Sequence, residues 1–247
     1  MGYLTEENFQ EIKLEIQEGR LTMDRMKFFL IAAFLYSIVF VGMGYAVAHA
    51  NTVGWDNLSA GWHIIFYMEA ILFAVQLMFI LFFWKKSNRN QKVLSFGMVL
   101  FTYKMVVDPF IFLAMILKDE GIYQYYISFF IWLLIIGLVV HVAAMFVWIN
   151  KLKKITDQNA GRKYTNTALL ASIIFFLVVV LNQLTRNWSY QADTNFFIFV
   201  FVLVYLGLII FVCEFNLAAY GIFRYPELSV EYKPTRRQNE KQKKEKK

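Results

Sequence analysis

The chain alternates between long apolar segments and short polar connections. Six segments are long enough to cross the ~30 Å hydrocarbon core of a bilayer, since an α-helix rises ~1.5 Å per residue. Charged side chains are concentrated between these segments and at the two ends of the chain. The pattern predicts an all-α, polytopic six-transmembrane-helix bundle within residues 27–223, with segments at approximately 27–50, 63–84, 93–117, 122–149, 164–186 and 196–223.

The connections differ in their content of Lys and Arg, which sets the orientation of a membrane protein. Basic residues precede the first segment, follow the second and fourth, and fill the C-terminal tail, whereas the three alternate connections hold only Lys118 and Arg186. We therefore expect both termini in the cytoplasm and a multi-pass protein of the cell (plasma) membrane. Indole rings favour the headgroup level, and tryptophans lie at the predicted boundaries: Trp55, Trp62, Trp84, Trp148 and Trp188.

Polar regions flank the transmembrane domain on both sides. Residues 1–26 predict a short cytoplasmic amphipathic helix, with Phe9, Ile12 and Ile16 on one face at helical spacing. Its other face is acidic, so anionic lipid should repel it, and we expect it to dock on the protein's own basic regions or on a partner. Residues 224–247 are basic and almost without apolar side chains beyond their first few positions, which predicts a disordered cytoplasmic tail.

The composition fits lipid as the main solvent. Hydrophobic residues make up 59% of the chain and charged residues only 17%, whereas soluble domains have ~45–50% apolar and ~25% charged residues. The net charge of +7 lies beside apolar segments, where it would face anionic lipid headgroups, so we expect no nucleic-acid partner. Cys213 is the only cysteine, which excludes an intramolecular disulfide.

Ionisable side chains inside the predicted segments are the first candidates for function, because charge is costly there and usually faces the bundle interior. Lys104 and Asp108 are four residues apart on one helix face, and Glu69 has a similar predicted depth. We expect these three to form a polar cluster in the outer half of the membrane, with one carboxyl protonated or bound to a cation. Pro109 removes a backbone donor and predicts a hinge or kink. The cluster either fixes neighbouring helices or shapes a transport site.

A second buried polar pair is expected in the inner half of the membrane, where His141 and Glu214 have matched depths. Such a pair forms either a structural hydrogen bond or a proton relay. In the first outer connection, His49, Asp56 and His63 match no known metal-ligand spacing, and His141 has no partner histidine for haem. We therefore expect no metal and no cofactor.

No catalytic motif is present: the chain has no nucleophile elbow, no zinc-ligand spacing and no phosphate-cradling loop. We expect a non-enzymatic accessory, immunity-type or scaffold component of a membrane complex. It would hold a membrane-protein partner or a second copy through residues 1–25 or its helix faces. Two alternatives stay open. One is a small secondary transporter or channel that uses the buried Glu, Lys, Asp and His groups. The other is an intramembrane enzyme acting on lipid-linked substrates.

Overall fold

The computed structural model describes residues 5–17, 19, 21–83, 85, 87–155, 190–225 and 228. Across these ranges all regular structure is helical and no strand occurs. A 3₁₀ turn at Glu6–Phe9 leads into a short helix, and five long helices follow. The six α-helices are α1 (Gln10–Gln17), α2 (Met23–Ala48), α3 (Ala60–Phe82), α4 (Asn88–Asp119), α5 (Tyr123–Ile155) and α6 (Tyr190–Arg224).

Helices α2 to α6 are each long and apolar enough to cross a membrane. The structure therefore confirms an all-α fold of membrane-spanning type, with five candidate spans in the part of the chain that it describes. The predicted segment at 164–186 lies outside the described residues, as does nearly all of the predicted tail. The sixth span and the disorder of the tail stay predictions.

Several observed helix ends differ from those of the predicted apolar segments: α2 and α3 end two residues earlier, at Ala48 and Phe82, whereas α4 begins earlier and α5 ends later. α4 begins at Asn88 because the Ser87 hydroxyl accepts a hydrogen bond from the backbone N–H of Asn90 at 3.2 Å, which caps the helix. α5 continues to Ile155, beyond the predicted end at residue 149, and its Leu152 is fully buried against the other helices. Hydropathy identifies the residues that can lie in the hydrocarbon core. The ends of a helix depend instead on caps and on packing, so they need not coincide with the ends of the apolar segment.

α4 is the central helix of the bundle. About half of its span is buried (56%), against 22% for α3 and 17% for α5. On one side it runs parallel to α2, where Gly44 lies so close that a Cβ atom there would be 3.3 Å from the Phe112 Cα. The small residue allows the two backbones to approach, as at many helix crossings in membranes. α4 therefore positions whatever side chains meet in the bundle interior.

α5 and α6 run parallel to each other and antiparallel to α4. Phe130 packs with Ile198 near the starts of α5 and α6. Further along, the Tyr205 hydroxyl is 3.5 Å from the Leu134 carbonyl, and His141 contacts the Ile209 carbonyl. The contacts advance together along both helices, so α5 and α6 end at the same end of the bundle.

The N-terminal helix lies at that shared end, which we call the α1 end. Phe9 is fully buried between Tyr220 and Tyr225, with ring centroids 6.0 and 5.5 Å apart. The Asn8 side chain donates a hydrogen bond of 3.2 Å to the Leu152 carbonyl, near the end of α5. The apolar face of this helix is therefore covered by the protein's own helices.

We predict that Phe9→Ala lowers the free energy of unfolding by ~3–5 kcal/mol, because it leaves a cavity beneath Gly221 and the two tyrosines. Denaturant titration in mixed micelles measures the change. Phe28→Ala removes the same side chain from a position that is 73% exposed, and serves as the matched control. Equal losses for the two variants would contradict the docking of the N-terminal helix.

Candidate functional site

The side of α3 that faces the bundle carries polar residues. Of its 23 residues only Phe66, Glu69 and Gln76 are buried, and they lie on one face of the helix. The Gln76 amide donates a hydrogen bond of 3.1 Å to the Leu30 carbonyl of α2. α3 therefore contacts its neighbours through polar groups and leaves most of its apolar surface outside.

Lys104 of α4 lies between the two predicted carboxylates. Its Nζ is 2.6 Å from Glu69 Oε2, and 2.9 and 2.8 Å from Asp108 Oδ1 and Oδ2. The Phe73 ring centroid is 4.3 Å from the same ammonium and adds a cation–π contact. The side chains of Lys104 and Asp108 are 3% and 0% exposed, and that of Glu69 is 10% exposed. We call these three residues the charged triad, and it joins α3 to α4.

α2 places two hydroxyl groups near the triad. Tyr36 and Ser37 lie close enough to Asp108 to interact with its carboxylate. The Tyr36 hydroxyl oxygen is buried and has no partner in hydrogen-bond geometry among the described residues. The Ser37 hydroxyl lies beside Asp108 and can donate to its carboxylate. α2 therefore lines the Asp108 side of the triad with two polar groups.

Pro109 follows the triad directly and lies inside α4, which continues to Asp119. Because proline has no backbone N–H, the Met105 carbonyl one turn earlier lacks its usual helical partner. Met105 is also the neighbour of Lys104 in sequence. Pro109 thus leaves the Met105 carbonyl as a free backbone acceptor beside the triad. The role of Pro109 as a hinge stays a prediction.

His141 does not form the expected pair with Glu214. Its Nδ1 is 3.0 Å from the Ile209 carbonyl of α6, and its Nε2 is 2.8 Å from the Tyr103 hydroxyl of α4. The Asn216 amide donates to the same hydroxyl at 2.7 Å. Since a carbonyl only accepts, Nδ1 carries a ring proton and donates it to Ile209. The result is a hydrogen-bond network between α4, α5 and α6, which we call the His141 network.

The direction of Glu214 explains why the pair is absent. Cys213 Sγ lies 3.4 Å from His141 Nδ1, so this face of α6 is turned toward α5. Successive residues of a helix point ~100° apart, and Glu214 therefore points away from the ring although it is also buried. Matched depth was predictable from the sequence, whereas the rotation of α6 was not.

Tyr103 is the network residue that the sequence analysis missed. It precedes Lys104 on α4 and so points to the neighbouring face of the helix, toward α5 and α6 rather than α3. A tyrosine hydroxyl in the middle of an apolar segment needs a partner, and that signal could have identified it. Tyr36 and Ser37, in the middle of the first apolar segment, carried a similar signal.

The connection between α2 and α3 holds two histidines around one indole. His49 stacks on Trp55 at 4.7 Å and 17°, and His63 contacts the same indole in a T-shaped arrangement at 4.6 Å. One ring nitrogen of each histidine lies against a backbone carbonyl, of Tyr45 for His49 and of Trp55 for His63. Among the residues that the structure describes, no group of three or more His, Cys, Asp or Glu side chains is placed to hold a metal ion.

We predict that Lys104→Met lowers the free energy of unfolding by ~3–5 kcal/mol, because it leaves two buried carboxylates without their cation. Adding Glu69→Gln and Asp108→Asn should recover most of this loss, since the cluster is then neutral. Denaturant titration of the single and triple variants measures both effects. If the losses of stability in the three single variants add up to the loss in the triple variant, the side chains do not act as one charged cluster.

Known proteins give no guide to the function of this chain, so the function has to be inferred from the geometry of its own side chains. No protein-family model, curated protein or solved structure matches this chain. The features that bear on function are therefore the charged triad, the His141 network and the exposed faces of the helices.

Proposed function

We propose that this chain is a non-enzymatic component of a membrane complex, as an accessory subunit, an immunity-type protein or a scaffold. The supporting observation is that the charged groups of the triad pair with one another inside the bundle. The three polar contacts of the Lys104 ammonium go to carboxylate oxygens of Glu69 and Asp108, and Asp108 is fully buried. An enzyme acting on a lipid-linked substrate needs a carboxylate that faces an open groove, so the geometry weighs against that alternative.

The exposed helix faces support an association within the bilayer. Only 17% of the α5 span is buried, and it presents large apolar side chains such as Trp132, Leu138 and Val139, each more than 60% exposed. Such a face fits lipid tails or a neighbouring transmembrane helix. Because the apolar face of α1 is already covered, we assign partner binding to the α5 face rather than to residues 1–25.

The parallel arrangement of α5 and α6 supports the six-span topology. Both helices end at the α1 end, so the chain between them has to return to the opposite end before α6 begins. If α5 and α6 both cross the bilayer, an odd number of crossings lies between them. We assign that crossing to residues 164–186. On this topology both termini lie in the cytoplasm, and we assign the protein to the plasma membrane.

Cysteine accessibility tests this topology. In a Cys213→Ala background, we expect a membrane-impermeant maleimide to label Asn51→Cys and Ser189→Cys on intact cells. Lys85→Cys and Asn159→Cys should react only after the membrane is permeabilised. Labelling of the Ser189 and Asn159 variants from the same side would contradict the crossing at 164–186.

A photo-crosslinking amino acid at Val139 tests the proposed association at native expression. We expect one discrete adduct with a second membrane protein in intact cells. The same amino acid at Leu133, which is 6% exposed on the same helix, is the matched control and should give none. Recovery of the protein alone, with no adduct from Val139 or from the 63% exposed Leu81 of α3, would contradict the proposal.

Secondary transport is the second candidate. It is favoured by the free backbone acceptor at Met105 and by the excess of one negative charge in the triad. Both features suit a site for a proton or a small cation near the middle of the membrane. An ion-dependent flux into reconstituted vesicles that Glu69→Gln abolishes and Glu214→Gln preserves would favour transport over the scaffold.

A further inference from the structure

The charged triad contains one more negative than positive charge when all three groups are ionised. Three carboxylate oxygens lie within 2.9 Å of the Lys104 ammonium nitrogen, two from Asp108 and one from Glu69. No second cation contacts either carboxylate in the part of the chain that the structure describes. An uncompensated charge in hydrocarbon is unfavourable, so one further unit of positive charge would stabilise this site.

The geometry at Glu69 points to where that charge binds. Glu69 Oε2 approaches Lys104 Nζ at 2.6 Å but is not in hydrogen-bond geometry, and Glu69 is only 8% exposed. Asp108, by contrast, has both oxygens hydrogen-bonded to Lys104 and the Ser37 hydroxyl beside it. A buried carboxylate oxygen outside hydrogen-bond geometry is the member of the cluster that a proton would satisfy.

The two carboxylates differ in how firmly Lys104 holds them. Asp108 receives both of its contacts from a lysine one turn away on the same helix, and its side chain is 0% exposed. Glu69 has a single contact, comes from another helix and is 10% exposed. It lies on α3, ~14 Å along the axis from the start at Ala60. Glu69 is therefore the member of the triad that can lose its contact with Lys104 and exchange a proton with the surroundings.

We propose that Glu69 binds one exchangeable proton inside the membrane, while Lys104 and Asp108 stay paired as ions. With the proton bound, the cluster is neutral and the Glu69 hydroxyl becomes a hydrogen-bond donor toward its neighbours. Without it, Glu69 carries the excess charge and draws the Lys104 ammonium toward α3. Among the described residues, Tyr36 of α2 is a further titratable group that faces Asp108 of the cluster. This property goes beyond a role in a complex and does not depend on which partner is present.

Dicyclohexylcarbodiimide tests the proposal, because this apolar reagent reacts with protonated carboxyl groups in membranes. The carboxyl proton moves to a carbodiimide nitrogen while the carboxylate oxygen bonds to the central carbon. An oxygen-to-nitrogen acyl shift then gives a stable N-acylurea that retains every atom of the reagent. The full-length protein is treated in vesicles of phosphatidylcholine and phosphatidylglycerol, and the modified residue is identified by peptide mass spectrometry.

We expect the label on Glu69, decreasing about tenfold per pH unit at the alkaline end of the titration. Asp108→Asn should also reduce the labelling of Glu69 at least about tenfold at neutral pH, since Lys104 then balances Glu69 alone. Glu214→Gln removes a buried carboxyl elsewhere and is the matched control that should leave the labelling unchanged. A reagent that merely reaches Glu69 would give no such difference between the two variants.

Three results would overturn the proposal. Labelling of Glu69 that is the same at every pH would show a permanently neutral carboxyl. Labelling that appears only after Lys104→Met would show a permanently ionised one. Protection by sodium chloride at constant pH, but not by choline chloride, would assign the site to a metal cation instead of a proton. The wild-type protein gives the first and third of these answers even if Asp108→Asn fails to fold, and absence of any wild-type label across the pH series would by itself contradict an exchangeable proton on Glu69.

Discussion

A lysine ammonium in the middle of a membrane helix has to find negative charge within its own reach. Lys104 lies ~24 Å from the start of α4 and ~22 Å from its end, so it cannot extend to either headgroup region. Asp108 supplies one partner within α4, and Glu69 supplies another from α3. This requirement fixes the rotation of α3, because turning the helix would leave the charges unpaired. The buried positions of Phe66 and Gln76 follow from the same rotation.

The opposite side of α4 is held by the His141 network. Tyr103, His141 and Asn216 join three helices through hydrogen bonds, and interhelical hydrogen bonds contribute ~0.6 kcal/mol each on average in membranes. This network is less buried than the triad, and Tyr103 is 36% exposed. The two sides of α4 thus differ: the buried triad fixes the neighbouring helix, whereas the network adds modest stability near the surface.

Five of the six predicted spans have a counterpart in the structure, and the three residues of the triad could be proposed from the sequence, because hydropathy and residue spacing along a helix are local properties. Lys104 and Asp108 share a face by spacing alone, and the depth of Glu69 follows from its distance to the segment end. The pairing of His141 with Glu214 failed because it required the rotation of α6, which packing at Cys213 decides. The helix ends at Ser87 and Leu152 also depended on a cap and on buried contacts rather than on apolarity.

The contact between Lys104 and Glu69 in a lipid bilayer is the most direct test of this account. Solid-state NMR on protein with ¹⁵N-labelled lysine and ¹³C-labelled glutamate detects dipolar coupling between a side-chain nitrogen and a carboxyl carbon at this range. The account predicts one strong coupling that disappears in Glu69→Gln and persists in Glu214→Gln. Absence of that coupling in the wild type, with the protein folded in the bilayer, would show that the triad does not join α3 to α4.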